Sequence, residues 1–337
     1  MAIDSHPLMK AAVYYRYGPP DVLEIEDVEK PVPGNGDVLV RVHSTTVSAA
    51  DWRLRKADPI IVRFMNGLWK PKKFNILGME FAGKVASVGG DVTRFAVGDE
   101  VFGSPGFSFG THAEYVCIPE EGLLATKPVN MSFEEAAAVM FGGGSALHFL
   151  RAAGIQTGQE VLIYGASGSV GVFAVQLAKH FGAHVAGVCS TANLDLVNSL
   201  GADETIDYTR EDFSKAGRVY DIVLDTVGKS GYSRSRRSLK RGGRYVRVGG
   251  SGNLLSMVGD MLRASWFSLT GGIKVIRGVA HTSVDDMLFL KSLIEAGELR
   301  TVIDRRYSLD EIAEAHRHAE AGHKKGHVVI VLEQAGQ

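Results

Sequence analysis

The chain has 337 residues, 45% of them hydrophobic and 22% charged, with 40 glycines; that length predicts two domains, and that composition excludes a disordered or fibrous chain. Thirty-seven lysines and arginines against 38 aspartates and glutamates leave a formal net charge of −1, so no global field draws DNA or an acidic membrane to the protein. Two isolated cysteines, Cys117 and Cys189, exclude a disulfide framework and a four-cysteine zinc site, and make a reducing compartment the expected setting.

Met1 to Tyr17 lacks the apolar run of a secretory signal, being interrupted by Asp4, Lys10 and Arg16, so a cytoplasmic protein is expected. After the turn Pro33-Gly34-Asn35-Gly36-Asp37, alternation of Val38, Val40 and Val42 with Leu39, Arg41 and His43 predicts a strand. Further short strands, Lys84 to Val88 and Glu100 to Phe102, stand between glycines, as an irregular antiparallel barrel requires. The character changes near residue 130, where Ser132-Phe133-Glu134-Glu135 is a capping box opening a helix into Ala136 to Met140. Strands at Val161 to Tyr164, His184 to Cys189, Ile222 to Leu224 and Arg244 to Val248 then alternate with helices at Val170 to Phe181 and Leu194 to Leu200. Gly182 and Gly201 stand just past the helix ends, and the alternation predicts a parallel α/β sheet. The uncharged stretch Val161 to Ala178 is broken by Gly165, Gly168, Gly171 and polar side chains, so it reads as buried and not membrane-spanning. Ser283-Val284-Asp285-Asp286 and Ser308-Leu309-Asp310-Glu311 cap two more helices, stopped by Gly297 and Gly322, before a last strand at His327 to Leu332.

Strand Val161 to Tyr164 runs directly into Gly165-Ala166-Ser167-Gly168-Ser169-Val170-Gly171 and a helix that is apolar on most sides. This order predicts a dinucleotide seat. Gly168 lets the backbone approach a diphosphate, Gly171 lets helix and strand pack closely, and the N–H groups at the helix start meet the negative charge. Where NAD-binding chains place an acid at the end of the second strand, this one has Cys189-Ser190-Thr191-Ala192-Asn193. The missing carboxylate, with the Ser190 and Thr191 hydroxyls as donors, favours NADPH, with NADH as the alternative.

Several short pieces, taken together and in order, carry a resemblance: Asp51-Trp52-Arg53-Leu54-Arg55, Gly78-Met79-Glu80-Phe81-Ala82-Gly83, Val97-Gly98-Asp99-Glu100-Val101, Gly110-Thr111-His112-Ala113-Glu114-Tyr115 and the glycine loop with Gln176 and Lys179. Leu200-Gly201-Ala202-Asp203, Asp221 to Gly228 and Gly326-His327-Val328-Val329 follow. The chain resembles the zinc-independent medium-chain dehydrogenase/reductases, in the quinone oxidoreductase branch that includes zeta-crystallin. The resemblance implies an α/β fold: a discontinuous GroES-like β-barrel catalytic domain at 1–130 and 281–337, and a Rossmann NADP(H)-binding domain at 131–280. It further implies an active site in the cleft between them, and homodimers. Tyr208 matches a tyrosine that NADPH-binding relatives place beside the 2'-phosphate, Asn193 stands where many carry lysine, and Val227 and Gly249 complete the cofactor set.

Zinc-dependent members carry Cys ahead of the Asp51 region and His after the glycine; here Val47-Ser48-Ala49-Ala50 and Met79 stand there, so no zinc is expected. Without a Lewis acid, alcohol oxidation is hard, whereas hydride addition to a quinone or an activated C=C needs only donors for the developing enolate. Enoyl thioester reductases use a first-domain tyrosine as proton donor, and no tyrosine lies between Tyr17 and Tyr115. The expected activity is NADPH-dependent reduction of a quinone or α,β-unsaturated carbonyl, with Ser48, Asp51, Trp52, Arg53 and Met79 as cleft candidates and no assigned proton donor. For Asp51, a structural ion pair with Arg55 is the competing reading. A redox-silent NADPH-binding protein, structural or RNA-associated, and a zinc-free alcohol dehydrogenase are the alternative functions; neither membrane nor nucleic acid is an expected partner. The basic run Arg234, Arg236, Arg237, Lys240, Arg241, Arg244 and Arg247 reads as a solvated helix face, His316, His318, His323 and His327 as surface histidines, and Met257 to Leu269 as core.

Overall fold

The computed structural model describes residues 7–215, 217–249 and 272–332. They fall into two compact units, the first drawn from Met1–Phe141, Ser283–Glu295 and Ile303–Gln337, the second from Gly142–Thr282 and Ala296–Val302.

In the first unit, β1 (Leu8–Val13) and β2 (Glu24–Glu29) pair as an antiparallel ribbon. β3 (Asp37–Thr46) begins where the Asp37 carboxylate accepts the Gly34 N–H at 3.1 Å, closing the Pro33 to Asp37 turn. Its Val38, Val40 and Val42 are buried, while Arg41 and His43 reach partway to solvent, as the alternation requires. Helices α1 (Ala49–Lys56) and α2 (Val62–Asn66) follow, then β4 (Phe81–Val88), β5 (Glu100–Ser104), β6 (Tyr115–Pro119) and β7 (Leu123–Thr126). α3 (Phe133–Ala137) opens with the full capping box: the Ser132 hydroxyl accepts the Glu135 N–H, and the Glu135 carboxylate accepts the Ser132 N–H. A π-helical turn, Met140–Gly144, comes next.

The second unit contains α4 (Ser145–Ala153), β8 (Glu160–Tyr164), α5 (Ser169–His180), β9 (His184–Cys189), α6 (Leu194–Ser199), β10 (Glu204–Asp207), β11 (Tyr220–Asp225), α7 (Tyr232–Arg237), β12 (Leu239–Val248) and β13 (Lys274–Gly278). Its six strands are parallel, in the order β10-β9-β8-β11-β12-β13. In chain order that is 3-2-1-4-5-6, the doubly wound arrangement whose direction reverses between β8 and β11. Leu162, Val188, Val223 and Tyr245 form the core over the sheet, and each such burial contributes about 1.5–3 kcal/mol.

The chain then adds α8 (Val284–Glu295), β14 (Ile303–Ser308), α9 (Ile312–Ala321) and β15 (His327–Val331). In the first unit these strands extend a seven-stranded sheet, β14-β15-β3-β4-β5-β7, with β6 also paired to β3; all its pairs are antiparallel except β14 with β15. α8 is tied to the first unit by Asn130, whose amide donates to the Ile294 carbonyl at 2.7 Å, and by Lys291 donating to the Thr126 hydroxyl at 2.6 Å.

Apart from a two-residue shift of the later boundary from 281 to Ser283, the units differ from the expected boundaries in two places. The change falls after Phe141 and not at 130, and Ala296–Val302 returns to the second unit. Gln176 on α5 explains the return: its amide accepts the Arg300 N–H at 2.9 Å and donates to the Arg300 carbonyl at 3.0 Å. The basic run is also not one helix face. α7 ends at Arg237, and Lys240 to Arg247 lie on β12, where Lys240 pairs with Asp221 at 2.8 Å. Met257 to Leu269 lies outside the described residues.

Candidate functional site

The glycine turn sits at the end of β8, at the topological switch point. Gly165 has φ of +84°, which a side chain rarely adopts, and a Cβ there would meet Val227 Cγ2 at 2.3 Å. Gly171 is closed for a different reason: its Cβ would lie 2.1 Å from the Gly165 carbonyl oxygen, so α5 packs on the turn with no room for a methyl group. Gly168 is the opposite case. With φ of −82° it tolerates any residue, and a Cβ would meet nothing nearer than the Gly165 carbonyl oxygen at 3.5 Å. The space a side chain would fill is open at the start of α5, where no side chain caps the helix. A dinucleotide diphosphate fits such a cradle of backbone N–H groups. Ala166 is buried beneath it and Val170 and Ser167 are nearly so, while Ser169 begins the helix.

Across the switch point Asp225, fully buried, organises the facing loop. Its carboxylate accepts the N–H groups of Val227, Gly228 and Ser230 and the hydroxyls of Ser230 and Tyr245. The sequence reading did not single out Asp225 as an organiser, although its position at the end of β11, ahead of Gly228, is a legible signal. Gly249, with φ of +70°, follows the end of β12.

Past β9, the Asn193 amide donates to the Ser167 hydroxyl at 3.0 Å and the Ser190 hydroxyl at 3.3 Å, tying the two loops together. The Thr191 hydroxyl is engaged: it donates to the Asp207 carboxylate. That contact corrects the expectation that no carboxylate stands here. Asp207 ends β10, directly beside Cys189 on β9, and also accepts the Thr209 N–H and hydroxyl. Donation from Thr191 holds the Asp207 carboxyl below its ordinary range, so it is an anion. Arg210 Nε lies 3.5 Å from it. Tyr208, half exposed, lines a cavity of about 250 Å³ together with Tyr164, Phe213, Asp212, Arg210 and Arg234. Sequence reasoning missed Asp207 and Arg210 because its spacing rule looks to the second strand, and these stand at and just after the end of the third.

The five cleft candidates separate in the first unit. Asp51 is fully buried: one carboxylate oxygen accepts the Ser48 N–H at 2.7 Å and hydroxyl at 2.6 Å, and the other accepts the Gly78 N–H at 2.9 Å. Asp51 and Ser48 therefore cap α1 and fasten it to the Gly78 turn. Arg55 does not pair with Asp51; its guanidinium meets Glu320 at 2.5 Å. Met79 belongs to the hydrophobic core, whereas Trp52 and Arg53 are partly exposed, with the Arg53 guanidinium 5.3 Å from the Trp52 ring centre.

Behind them lies a buried polar cluster. Thr46 donates to one Glu80 oxygen at 2.5 Å, and the Phe141 N–H to the other at 2.7 Å. His112 Nε2 donates to the Thr46 carbonyl at 2.9 Å, and its ring stands edge-on to His316, centroids 5.6 Å apart. His316 and His327 are buried, so two of the four histidines read as surface groups are core groups; His318 bonds Asp304 at 2.6 Å and His323 is exposed. Burial lowers His316 well below the ordinary histidine range and raises Glu80 to about 7.

These shifts have opposite signs in stability. The raised Glu80 stabilises the fold fully below the unfolded carboxyl range and loses that contribution as pH rises through about 7. The lowered His316 does the reverse, its contribution disappearing as pH falls below the unfolded histidine value. Glu80→Gln isolates the first: between pH 4.5 and pH 8 the variant should gain stability over wild type by about 3 kcal/mol. Chemical denaturation at both pH values measures it, and a pH-independent difference would contradict the burial argument.

A 3-2-1-4-5-6 parallel sheet with a glycine turn at its switch point, in a chain that also carries a GroES-like antiparallel unit, defines a pyridine-nucleotide dehydrogenase/reductase fold. Residues 34–129 match the alcohol dehydrogenase GroES-like domain and residues 200–330 a family described as zinc-binding dehydrogenase. The chain is 33% identical to 2-methylene-furan-3-one reductase of Solanum lycopersicum, over 96% of this chain and 79% of that one. It is 32% identical to quinone-oxidoreductase QR1 of Triphysaria versicolor, over 96% and 98%. The solved quinone oxidoreductase of Coxiella burnetii superposes with a TM-score of 0.86 at 30% identity, over 97% of this chain and all of that one. The chain belongs to the medium-chain dehydrogenase/reductase superfamily, in its quinone oxidoreductase branch, and is an oxidoreductase.

Proposed function

We propose that the protein reduces quinones or α,β-unsaturated carbonyl compounds with NADPH and without a metal. The observation that carries this reading is the open seat at Gly168, framed by the tight glycines Gly165 and Gly171. The relatives support the substrate class, since one is named as a quinone oxidoreductase and another, from Arabidopsis thaliana, as an NADPH-dependent alkenal/one oxidoreductase. When bound, the nicotinamide supplies a hydride to an electrophilic carbon. The backbone at Gly168 and the start of α5 hold the diphosphate, and the Asn193 bridge to Ser167 keeps that loop in place.

For the 2'-phosphate, we assign Tyr208 and Arg210, with Ser190. Arg210 supplies the positive charge that Asn193 cannot, and offsets the Asp207 anion 3.5 Å away. The residues do not fit zinc: Ser48, Ala49, Ala50 and Met79 offer no thiolate or imidazole, Asp51 and Glu80 are engaged by internal donors, and no group of three metal-ligating side chains stands together among the described residues. On the substrate side, Trp52 and Arg53 are the two candidates that reach solvent.

Protonation of the enolate is assigned to water. Tyr14 is buried and accepts the Asn66 amide, while the Tyr15 and Tyr17 hydroxyls donate to Glu26 and to the Gly67 carbonyl. Mixing NADPH-loaded protein with excess 9,10-phenanthrenequinone should oxidise the bound nucleotide in one turnover with zinc chelated away. Nucleotide that stays reduced against a panel of quinones and enones, or turnover that needs added zinc, would refute the proposal.

A further inference from the structure

The segment between α1 and β4 presents an apolar face that no part of the described chain covers. Ile60, Ile61, Phe64, Met65, Leu68 and Trp69 are all exposed, Phe64 at 75% and Trp69 at 90%. Their spacing is that of a helix: three apolar pairs, each four residues after the last. The backbone is helical only through α2, where Val62, Arg63 and Phe64 donate to Pro59, Ile60 and Ile61 and Gly67 closes the last turn on Arg63; Gly67, with φ of +122°, ends the helix, and Leu68 and Trp69 follow it in a bend. The inward positions, again four apart, are Val62, packed on the core, and Asn66, 1% exposed.

Asn66 holds the segment in this orientation. Its amide nitrogen donates to the Tyr14 hydroxyl at 2.8 Å and the Phe74 carbonyl at 3.1 Å, and its oxygen accepts the N–H groups of Phe74 and Lys73 at 2.7 and 3.2 Å. The apolar side chains thus project from an anchored backbone. The charge on the segment is one-signed: Arg63, Lys70, Lys72 and Lys73 are present, and no aspartate or glutamate occurs from Pro59 to Met79.

We propose that this face docks the protein on an anionic lipid bilayer. Clustered apolar exposure marks an interaction surface, and the charge decides which. Protein interfaces are depleted in lysine, and a second copy placed face to face would bring two such cationic segments together. A bilayer accommodates both features: Trp69 and Phe64 enter the headgroup boundary while Lys70, Lys72 and Lys73 meet lipid phosphates. No described helix is long and apolar enough to cross a membrane. The net charge of −1, which argues against any membrane partner, conceals this local asymmetry. The inference is independent of the proposed reaction and is tested by binding alone.

The test uses the full chain with vesicles of phosphatidylcholine, with and without phosphatidylglycerol, read by cosedimentation and tryptophan fluorescence. The protein should sediment with the anionic vesicles, with a blue shift that Trp69→Phe removes, and stay in solution with the neutral ones. The combined variant F64S/W69S should lower the partition coefficient at least about tenfold. K70E/K72E/K73E should lower it by about fivefold per lysine or more. Both should melt with wild type, since the altered side chains are exposed. Wild type that ignores anionic vesicles, or binding that neither variant weakens, overturns the proposal. So does a lipid-free dimer that F64S/W69S dissociates, because a second copy would then occupy the face.

Discussion

Gly168→Ala is expected to melt within about 2 °C of wild type while losing on the order of a hundredfold in affinity for pyridine nucleotide. Gly171→Ala is expected to do the reverse in kind, destabilising the second unit by about 3 kcal/mol or more. Both add one methyl group to the same turn, and the difference lies in where it points. At Gly168 the backbone is in an ordinary extended region and the Cβ enters open space, so nothing in the folded protein resists it. In the proposed cofactor site, that space is where the diphosphate would come against the backbone N–H groups. At Gly171 the methyl group would stand 2.1 Å from the Gly165 carbonyl oxygen and 2.7 Å from the Ala166 carbonyl carbon, and backbone cannot yield as a side-chain end can. Thermal melting with nucleotide titration by fluorescence separates the two effects. Unchanged nucleotide affinity in a well-folded Gly168→Ala protein would remove the turn from the cofactor site.

Arg210→Glu is expected to weaken NADPH about thirtyfold or more, by removing a charge-assisted bond and adding a second anion, and to change NADH by no more than about twofold. The prediction follows from the pairing at the end of β10. Asp207 is anionic because Thr191 and Thr209 donate to it, so a phosphate nearby needs a compensating cation, and Arg210 is the side chain beside it. Tyr208→Phe should cost NADPH less, about fivefold, since it removes one neutral donor. Dissociation constants for both nucleotides in each variant decide the matter. Equal losses for NADPH and NADH would mean that Arg210 supports the fold and does not read the phosphate.

Much of the second unit was legible because its signals are local. The run from Val161 to Gly171 specifies strand, turn and buried helix within eleven residues, and the α5 and β9 boundaries fall within one residue of the expected ones. Capping boxes at Ser132 and Ser308 were equally readable, since each is closed within four residues. Edge strands were not. β10 and β14 carry charged or polar residues at most positions, and pairing with β9 and β15 makes them strands, not their own pattern.

By itself the sequence determined the α/β class, the glycine turn, the resemblance to metal-free reductases and the absence of the two usual zinc-site residues in Val47-Ser48-Ala49-Ala50 and at Met79. The Ser48-to-Asp51 cap of α1 is local, closed within four residues, but only the tertiary structure decided that Asp51 also fastens the Gly78 turn, that Arg55 belongs to Glu320, and that Asp207 stands against Thr191. The reason is the range of the interactions. Backbone propensity and capping act across a few residues, so spacing records them, whereas a carboxylate takes whichever donor folding brings near, and Arg55 and Glu320 are separated by most of the chain. Exposure is decided the same way: Ile60 to Trp69 carries six large apolar side chains that stand on the surface because Asn66, pinned by Tyr14 and Phe74, turns that face outward.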